Sequence, residues 1–195
     1  MNLFSLEKSA ALLTGSGNEL GLSVGLALRK AGASVIFHGT GPRPTSLPVD
    51  CAYSQADLLL QRNAARDVVQ AAWETRPELN LLVCFPSESA DAQLALAAIN
   101  CVTQQFATRL QNEKHGGAIV LVLNPESAAP DAASSFNRGL SALVKSLATP
   151  LSGSGIRING VAPTNPSQDL AGTIIFLCSP AADQITGHVL RVGNG

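Results

Sequence analysis

Short apolar runs alternate with helical patterns along the whole chain. The apolar runs are rich in Val, Ile and Leu and end at glycine, proline or polar residues, which is typical of buried strands. We predict strands at 10–15, 33–39, 79–85, 117–124, 156–162 and 188–192. Between these runs apolar residues recur at helical spacing. We predict helices at 20–32, 61–76, 91–113, 136–149 and 170–179.

This alternation of strands and helices predicts the fold class. Strand–helix–strand units build a parallel sheet with helices on both faces. We therefore predict an α/β, Rossmann-type doubly wound parallel sheet in three α/β/α layers, formed by residues 1–195 as a single domain. Ligands in such sheets bind beyond the carboxyl ends of the strands, so functional residues are expected just after each strand.

Composition and charge narrow the range of partners. The 195 residues carry a formal net charge of -1, which gives no electrostatic footprint for nucleic acid. The apolar runs are too short to span a bilayer, and the start of the chain lacks the basic segment of a signal peptide. The four cysteines form no C-x-x-C pair and the three histidines are scattered, so we expect no metal site. We expect free thiols and a cytoplasmic protein.

A glycine-rich turn follows the first predicted strand, in the sequence TGSGNELGLSVG at 14–25. Such a turn lets the backbone approach a pyrophosphate and presents helix N–H groups to it, although a tight connection without a ligand has the same pattern. Glu19 would repel a diphosphate unless its side chain points away. The second strand ends in FHGTGPR, without an acid for ribose hydroxyls. Arg43 either meets a 2′-phosphate or is solvated.

With these features, the chain resembles the short-chain dehydrogenase/reductase family over nearly its whole length. The similar segments are LEKSAALLTGSGNELG, ADLL at 56–59, IN at 99–100, GIRINGVAP at 155–163 and ITGHVLRVGNG at 185–195. The resemblance implies binding of NAD or NADP, with Asp57 on the adenine amino group. The implied cofactor-binding residues are Thr14, Gly15, Ser16, Gly17, Asn18, Leu20, Gly21, Asp57, Leu58, Phe85, Pro86, Pro163 and Thr164.

The catalytic residues of the family are not retained. Its members use a Ser, a Tyr that exchanges a proton with the substrate oxygen, and a Lys that lowers the pKa of that Tyr. When the chain is aligned with the family on the segment LVKSLATPL at 143–151, the Tyr position falls on Ala133. The Lys position then falls on Asn137 and the Ser position on Asn124. The one tyrosine, Tyr53, is far from this helix in sequence.

Two further positions bear on activity. Asn100 matches the helix asparagine that supports a catalytic water in the family. After Pro163 only residues 164–169 stand where the family has a long substrate-binding loop, so the resemblance implies a shortened substrate loop.

We therefore expect a degenerate site without standard dehydrogenase activity, in a protein that retains a possible NAD(P)-binding turn and acts as a binding or partner subunit. An active NAD(P)(H)-dependent oxidoreductase is the alternative, with Asn100 and Asn124 as residual catalytic groups that polarise a carbonyl. A nucleotide sensor that reads a smaller ligand through Asn18 and Glu19 is the third interpretation.

Association is expected in a homo-oligomer or a hetero-oligomer, since closed symmetric oligomers are common. The helices at 91–113 and 136–149 would pair across a two-fold axis. Their second faces are small and apolar, with Ala95, Ile99, Ala142 and Ser146.

Overall fold

Seven parallel strands form one sheet in the order β3-β2-β1-β4-β5-β6-β7. The computed structural model describes residues 2–60, 63–86, 91–125, 132–166 and 168–193. The strands are β1 Ala10–Thr14, β2 Ser34–Gly39, β3 Ala52–Gln55, β4 Leu79–Cys84, β5 Gly117–Val122, β6 Ile156–Pro163 and β7 Val189–Val192. The helices of this part of the chain are α1 Glu19–Lys30, α2 Ala64–Thr75, α3 Ala92–Glu113, α4 Ala132–Ser152 and α5 Ala171–Cys178, with a short 3-10 helix at Pro180–Ala182.

The predicted Rossmann-type α/β/α fold is confirmed, and two elements differ from the prediction. The sequence pattern missed β3, because this half-buried edge strand reads AYSQ and has no apolar run. Helix α4 is Ala132–Ser152, whereas the predicted helix begins at Phe136, because the apolar repeat in the sequence begins there. Residues 61–62, at the start of the helix predicted at 61–76, lie outside the described residues. So do residues 194–195, at the end of the segment ITGHVLRVGNG.

The sheet buries an apolar core on each of its faces. Helices α2, α3 and α4 cover one face, where Leu12 is buried, and α1 and α5 cover the other, where Leu13 is buried. Successive strand residues point to opposite faces, so strands covered on both sides need nearly continuous apolar sequence. Within the described chain, no helix combines the length and apolarity that crossing a membrane requires.

Helix α1 approaches β2 closely at Gly25. A Cβ added there would overlap the ring of Phe37 and lie 3.0 Å from a side-chain methyl of Leu13. Both of these neighbours are fully buried, so neither can move aside without disturbing the core. The close contact seats α1 against the sheet below the glycine-rich turn.

We expect Gly25→Ala to lower the free energy of unfolding by about 1–3 kcal/mol, the usual cost of overpacking a core. Gly172→Ala, on α5, is the matched control, because a Cβ there meets no atom within 4 Å. The better helix propensity of alanine should stabilise that variant by up to about 1 kcal/mol. Urea denaturation followed by circular dichroism measures both changes, and equal effects would contradict the close approach.

Candidate functional site

A cavity of about 270 Å³ opens at the carboxyl ends of β1, β2 and β4. Its walls come from the glycine-rich turn, the end of β2, the segment after β3 and helix α3. Among the described residues that line it, none is Asp, Glu, Lys or Arg. The predicted cofactor-binding residues that line it are Thr14, Gly15, Gly17, Asn18, Leu58, Phe85 and Pro86.

The glycines of the turn serve different purposes. Gly15 has φ +71, and a Cβ there would lie 2.8 Å from the Phe85 carbonyl oxygen. A Cβ on Gly21 would lie 2.5 Å from the Ser16 Cα. The fold itself therefore requires these two glycines. Gly17 differs, because a Cβ there meets nothing within 4 Å and its φ lies outside the left-handed region. Its bare backbone faces the cavity.

Ser16 points into the protein rather than into the cavity. It is fully buried, and its backbone N–H donates to the His38 carbonyl over 2.9 Å. Its hydroxyl lies 3.0 Å from the Leu13 carbonyl oxygen and 3.1 Å from that of His38, and it accepts from the His38 N–H over 3.1 Å. Ser16 thus ties the turn to the end of β2.

The first turn of α1 meets the cavity through Asn18. The Asn18 Oδ1 accepts the Gly21 N–H over 2.9 Å and caps the helix, so that donor is not available to a ligand. Glu19 is exposed and does not line the cavity, so its carboxylate faces solvent at the start of its own helix, where a negative charge is favourable. Leu20, on α1, is half-buried and packs against the core.

Arg43 is exposed, as its interpretation as a solvated side chain expects, and it does not line the cavity. Its guanidinium donates to the Cys51 carbonyl over 2.7 Å and also to the Pro48 carbonyl. The loop after β2 therefore folds around this cation. Tyr53, on β3, donates its hydroxyl to the Gly41 carbonyl over 2.8 Å and lines the cavity. This wall of the cavity is therefore uncharged.

His38 is a cavity residue that the sequence analysis missed. It is 1% exposed, and within the described residues neither ring nitrogen has a hydrogen-bond partner. Burial lowers the pKa of the imidazole to about 4, although the Ala56 carbonyl and the Asp57 carboxylate both favour the protonated ring. The ring is therefore neutral at neutral pH. A polar residue within the apolar run of β2 was the available signal.

Asp57 is the second residue after β3. Its Oδ1 accepts from the N–H groups of Leu59, over 2.8 Å, and Leu60, over 3.2 Å. The carboxylate thereby fixes the turn that brings Leu58 to the cavity wall. A carboxylate oxygen has more than one lone pair, so a further donor from a ligand is compatible with this geometry.

Asn137, at the expected Lys position, clamps the end of β5. Its Nδ2 donates to the Asn124 carbonyl over 3.0 Å, and its Oδ1 accepts the Asn124 N–H over 2.9 Å. The Asn124 side chain is half-buried just beyond β5.

Ala133 lies one turn before Asn137 in α4. Asn100 lies on α3, where its Oδ1 accepts from Gln104 over 3.1 Å. No hydrogen bond joins Asn100 to Asn124 in the described chain.

Pro163 and Thr164 lie at the end of β6, away from the cavity lining. The Thr164 N–H donates to the Val192 carbonyl over 2.9 Å. A Cβ on Gly193 would overlap the Thr164 side chain. Gly193 therefore leaves room for the Thr164 side chain.

The prediction that Ala95, Ile99, Ala142 and Ser146 lie on the outer faces of the two long helices is only partly correct. Ala95 and Ile99 are 3% and 5% exposed, and they pack in the core and line the cavity. Ala142 and Ser146 are exposed as expected.

Among the residues that the structure describes, no group of three or more His, Cys, Asp or Glu side chains is placed to hold a metal ion.

Known proteins align with this chain over nearly its whole length, although no family model matches it. The 2-dehydro-3-deoxy-D-gluconate 5-dehydrogenase of Bacillus subtilis (strain 168) is 26% identical, with 98% of this chain and 96% of that protein aligned. The 7alpha-hydroxysteroid dehydrogenase of Escherichia coli (strain K12) is 23% identical, with 97% and 94% aligned. The first alignment runs over 245 positions, so that relative contains segments with no counterpart in these 195 residues.

Solved structures share the fold. A short-chain type dehydrogenase/reductase from Mycobacterium marinum superposes with a TM-score of 0.84 at 20% identity, covering 98% of this chain and 96% of that one. A hydroxysteroid dehydrogenase from Escherichia coli has the same TM-score at 22% identity, covering 100% and 98%.

These comparisons contradict the expectation of a binding or partner subunit without standard dehydrogenase activity. The aligned relatives are named as dehydrogenases, and the likeness extends over nearly their full length and that of this chain. That expectation is wrong, and the comparisons favour the alternative of an active oxidoreductase.

Proposed function

We propose that this chain is a member of the short-chain dehydrogenase/reductase family and an NAD(P)(H)-dependent oxidoreductase that interconverts a carbonyl and an alcohol. The cavity beside the glycine-rich turn is the main support for this proposal. The fold does not require a glycine at position 17, and the missing side chain of Gly17 leaves the backbone open to a ligand. The full-length likeness to proteins named as dehydrogenases supports it. We propose one domain over residues 1–195, with a shortened substrate loop at 164–169, of which Ser167 lies outside the described residues.

The residues of the cavity suit a dinucleotide. Gly17 leaves room for a phosphate oxygen against the backbone, and the N-terminus of α1 favours negative charge. Leu58, Phe85 and Ala98 provide apolar walls, which suit the flat face of a nucleotide base. The nicotinamide nucleotide supplies or takes the hydride when it is bound.

The uncharged cavity favours NAD(H) over NADP(H). A buried 2′-phosphate needs a cation or several hydrogen-bond donors to offset the loss of water. No Lys or Arg is among the described lining residues, and the Arg43 guanidinium is bound within its own loop. The neutral His38 ring adds no positive charge at neutral pH.

Fluorescence titration should show binding of NADH with a lower Kd than that of NADPH. Gly17→Val places a side chain in the space opposite the diphosphate, so we expect the Kd for NADH to rise by at least about tenfold, or roughly 1.4 kcal/mol. Gly172→Ala, at an exposed position of α5 that does not line the cavity, should leave that Kd unchanged. Failure of both nucleotides to bind at millimolar concentration would contradict the proposal, as would an unchanged Kd in Gly17→Val.

Asn124 is proposed to polarise the substrate carbonyl. Its backbone N–H and carbonyl are both bonded to Asn137, so the side chain extends from a fixed backbone. Its amide N–H would donate to the oxygen where negative charge develops during reduction. Asn100 would hold a water, and the proton would come from that water because Ala133 offers no acidic hydroxyl.

Replacing this donor tests the mechanism. We expect Asn124→Ala to lower kcat by about 10²-fold, as for loss of one oxyanion donor, with the Kd for NADH unchanged. Asn112→Ala, on the exposed end of α3, is the control. A keto-deoxy sugar acid and a hydroxysteroid are the first substrates to test, given the names of the relatives. An undiminished kcat in Asn124→Ala would exclude Asn124 from catalysis.

We also propose that copies of this chain associate through the outer faces of α3 and α4. Leu94 on α3 is 39% exposed, and Ala97, Cys101, Ala142 and Ser146 are exposed on the same two helices.

We propose a cytoplasmic location for this protein, because its four cysteines are free.

Light scattering should give a mass at least twice the 20.1 kDa of one chain. Leu94→Asp should lower that mass, because it brings a charge into the apolar contact. Gln93→Asp, at the neighbouring exposed position, is the control. A monomeric mass for the unmodified chain would reject this association.

A further inference from the structure

A second cavity, of about 260 Å³, lies at the amino ends of β4, β5 and β6. This is the opposite edge of the sheet from the cavity beside the glycine-rich turn. Residues that follow α5 form one of its walls. The polar and charged side chains among its described lining residues are those of Ser9, Asn80, Arg157, Ser179 and Asp183. The proposed oxidoreductase activity makes no use of this second cavity.

Arg157 brings a largely buried cation to the second cavity. Its side chain is 13% exposed, so it is within reach of a ligand there. Its Nη1 donates to the Leu177 carbonyl over 2.8 Å, and its Nη2 donates to the Ser179 carbonyl over 3.3 Å. These two carbonyls stand at the C-terminal end of α5, where a positive charge is favourable. A guanidinium has five N–H groups, so three are not used by these two bonds.

The charge of Arg157 has no hydrogen-bonded counter-ion within the part of the chain that the structure describes. Its ion-pair partner is Asp183, whose Oδ1 lies 3.8 Å from the Arg157 Nε, and that side chain is 64% exposed. Water therefore screens this pair. Burial raises the pKa of the Cys178 thiol, which also lines the cavity, to about 12, so that group is neutral at neutral pH. An anion that accepts the remaining N–H groups would offset the cost of burying the guanidinium.

We propose that the second cavity is a binding site for a small hydroxycarboxylate, with its carboxylate on Arg157 and a hydroxyl on Asp183. The inference goes beyond the proposed function and does not depend on it. A planar carboxylate matches the fork of N–H groups that a guanidinium presents. A ligand hydroxyl can donate to the Asp183 carboxylate, and this bond offsets the repulsion between the two negative groups.

The other walls of the second cavity suit a polar organic anion. The Asn80 Oδ1 accepts the Ala10 N–H over 3.2 Å, whereas its Nδ2 lies 3.5 Å from the Ser9 hydroxyl. A contact of that length is weak, so the Asn80 amide can donate to a ligand oxygen instead. A volume of about 260 Å³ holds a carboxylate together with a body of several atoms. Phosphate fits less well, since it brings more negative charge beside Asp183 and fills less of the space.

Calorimetric titration of the full chain with D-glycerate is the first test. We expect saturable binding with a Kd of about 1 mM, the order of affinity for a ligand of so few atoms. Propionate lacks the hydroxyls of glycerate, so its Kd should be about fivefold higher, as for loss of one or two hydrogen bonds. Absence of saturable glycerate binding at about ten times the expected Kd would overturn the inference. Tighter binding of inorganic phosphate than of glycerate would also overturn it.

Variants of the two charged residues give the second test. Arg157→Gln should raise the Kd for glycerate by at least about tenfold, because hydrogen bonds to a charged group are lost. Asp183→Asn changes an exposed side chain and should narrow the difference between glycerate and propionate, since the carboxylate of either ligand is no longer repelled. Gly153→Ala, at an exposed position away from the cavity lining, is the control. If Arg157→Gln does not fold, an unchanged ratio of the two Kd values in Asp183→Asn would overturn the inference.

The variants of the proposed active site show which cavity binds glycerate. Gly17→Val and Asn124→Ala should leave the Kd for glycerate unchanged, and saturating NADH should not displace it. Weaker glycerate binding in Asn124→Ala, with Arg157→Gln unaffected, would assign the ligand to the proposed catalytic region and overturn this inference. Failure of NADH to bind a chain that binds glycerate would contradict the proposed function alone.

Discussion

The buried hydroxyl of Ser16 is the contact on which the site depends. It joins the glycine-rich turn after β1 to the end of β2, and the backbones of Ser16 and His38 bond to each other directly. Because β2 and β4 flank β1 in the sheet, the turn is also held from the other side, where Phe85 donates its N–H to the Thr14 carbonyl. Gly17 and His38 therefore occupy two fixed walls of one cavity.

The end of β5 is held by an amide side chain of α4. Asn137 is the position for which the family resemblance implies a lysine, and its amide holds both backbone polar groups of Asn124. An amide both donates and accepts, whereas a lysine ammonium only donates, so an amide can bond to both the N–H and the carbonyl of one residue. The expectation of a protein without standard dehydrogenase activity rested on one motif, and the names of the full-length relatives contradict it.

The fold was largely predictable because strands buried on both faces leave a strong apolar signal. The half-buried edge strand β3 lacks that signal and was missed. The glycine-rich turn was predictable from local spacing alone. The positions of Arg43 and His38 were not, because each depends on how a loop or a strand meets residues that are distant in sequence. Spacing within one helix likewise could not predict the contact between Asn137 and Asn124.

The absence of charge around the cavity has a kinetic consequence. A dinucleotide is an anion, and this chain has a net charge of -1 with no Lys or Arg among the described residues of the cavity wall. Long-range steering would therefore contribute little to binding of the proposed dinucleotide, and its association rate should change only slightly with ionic strength. Capture of that ligand would depend on short-range contacts with the cavity wall.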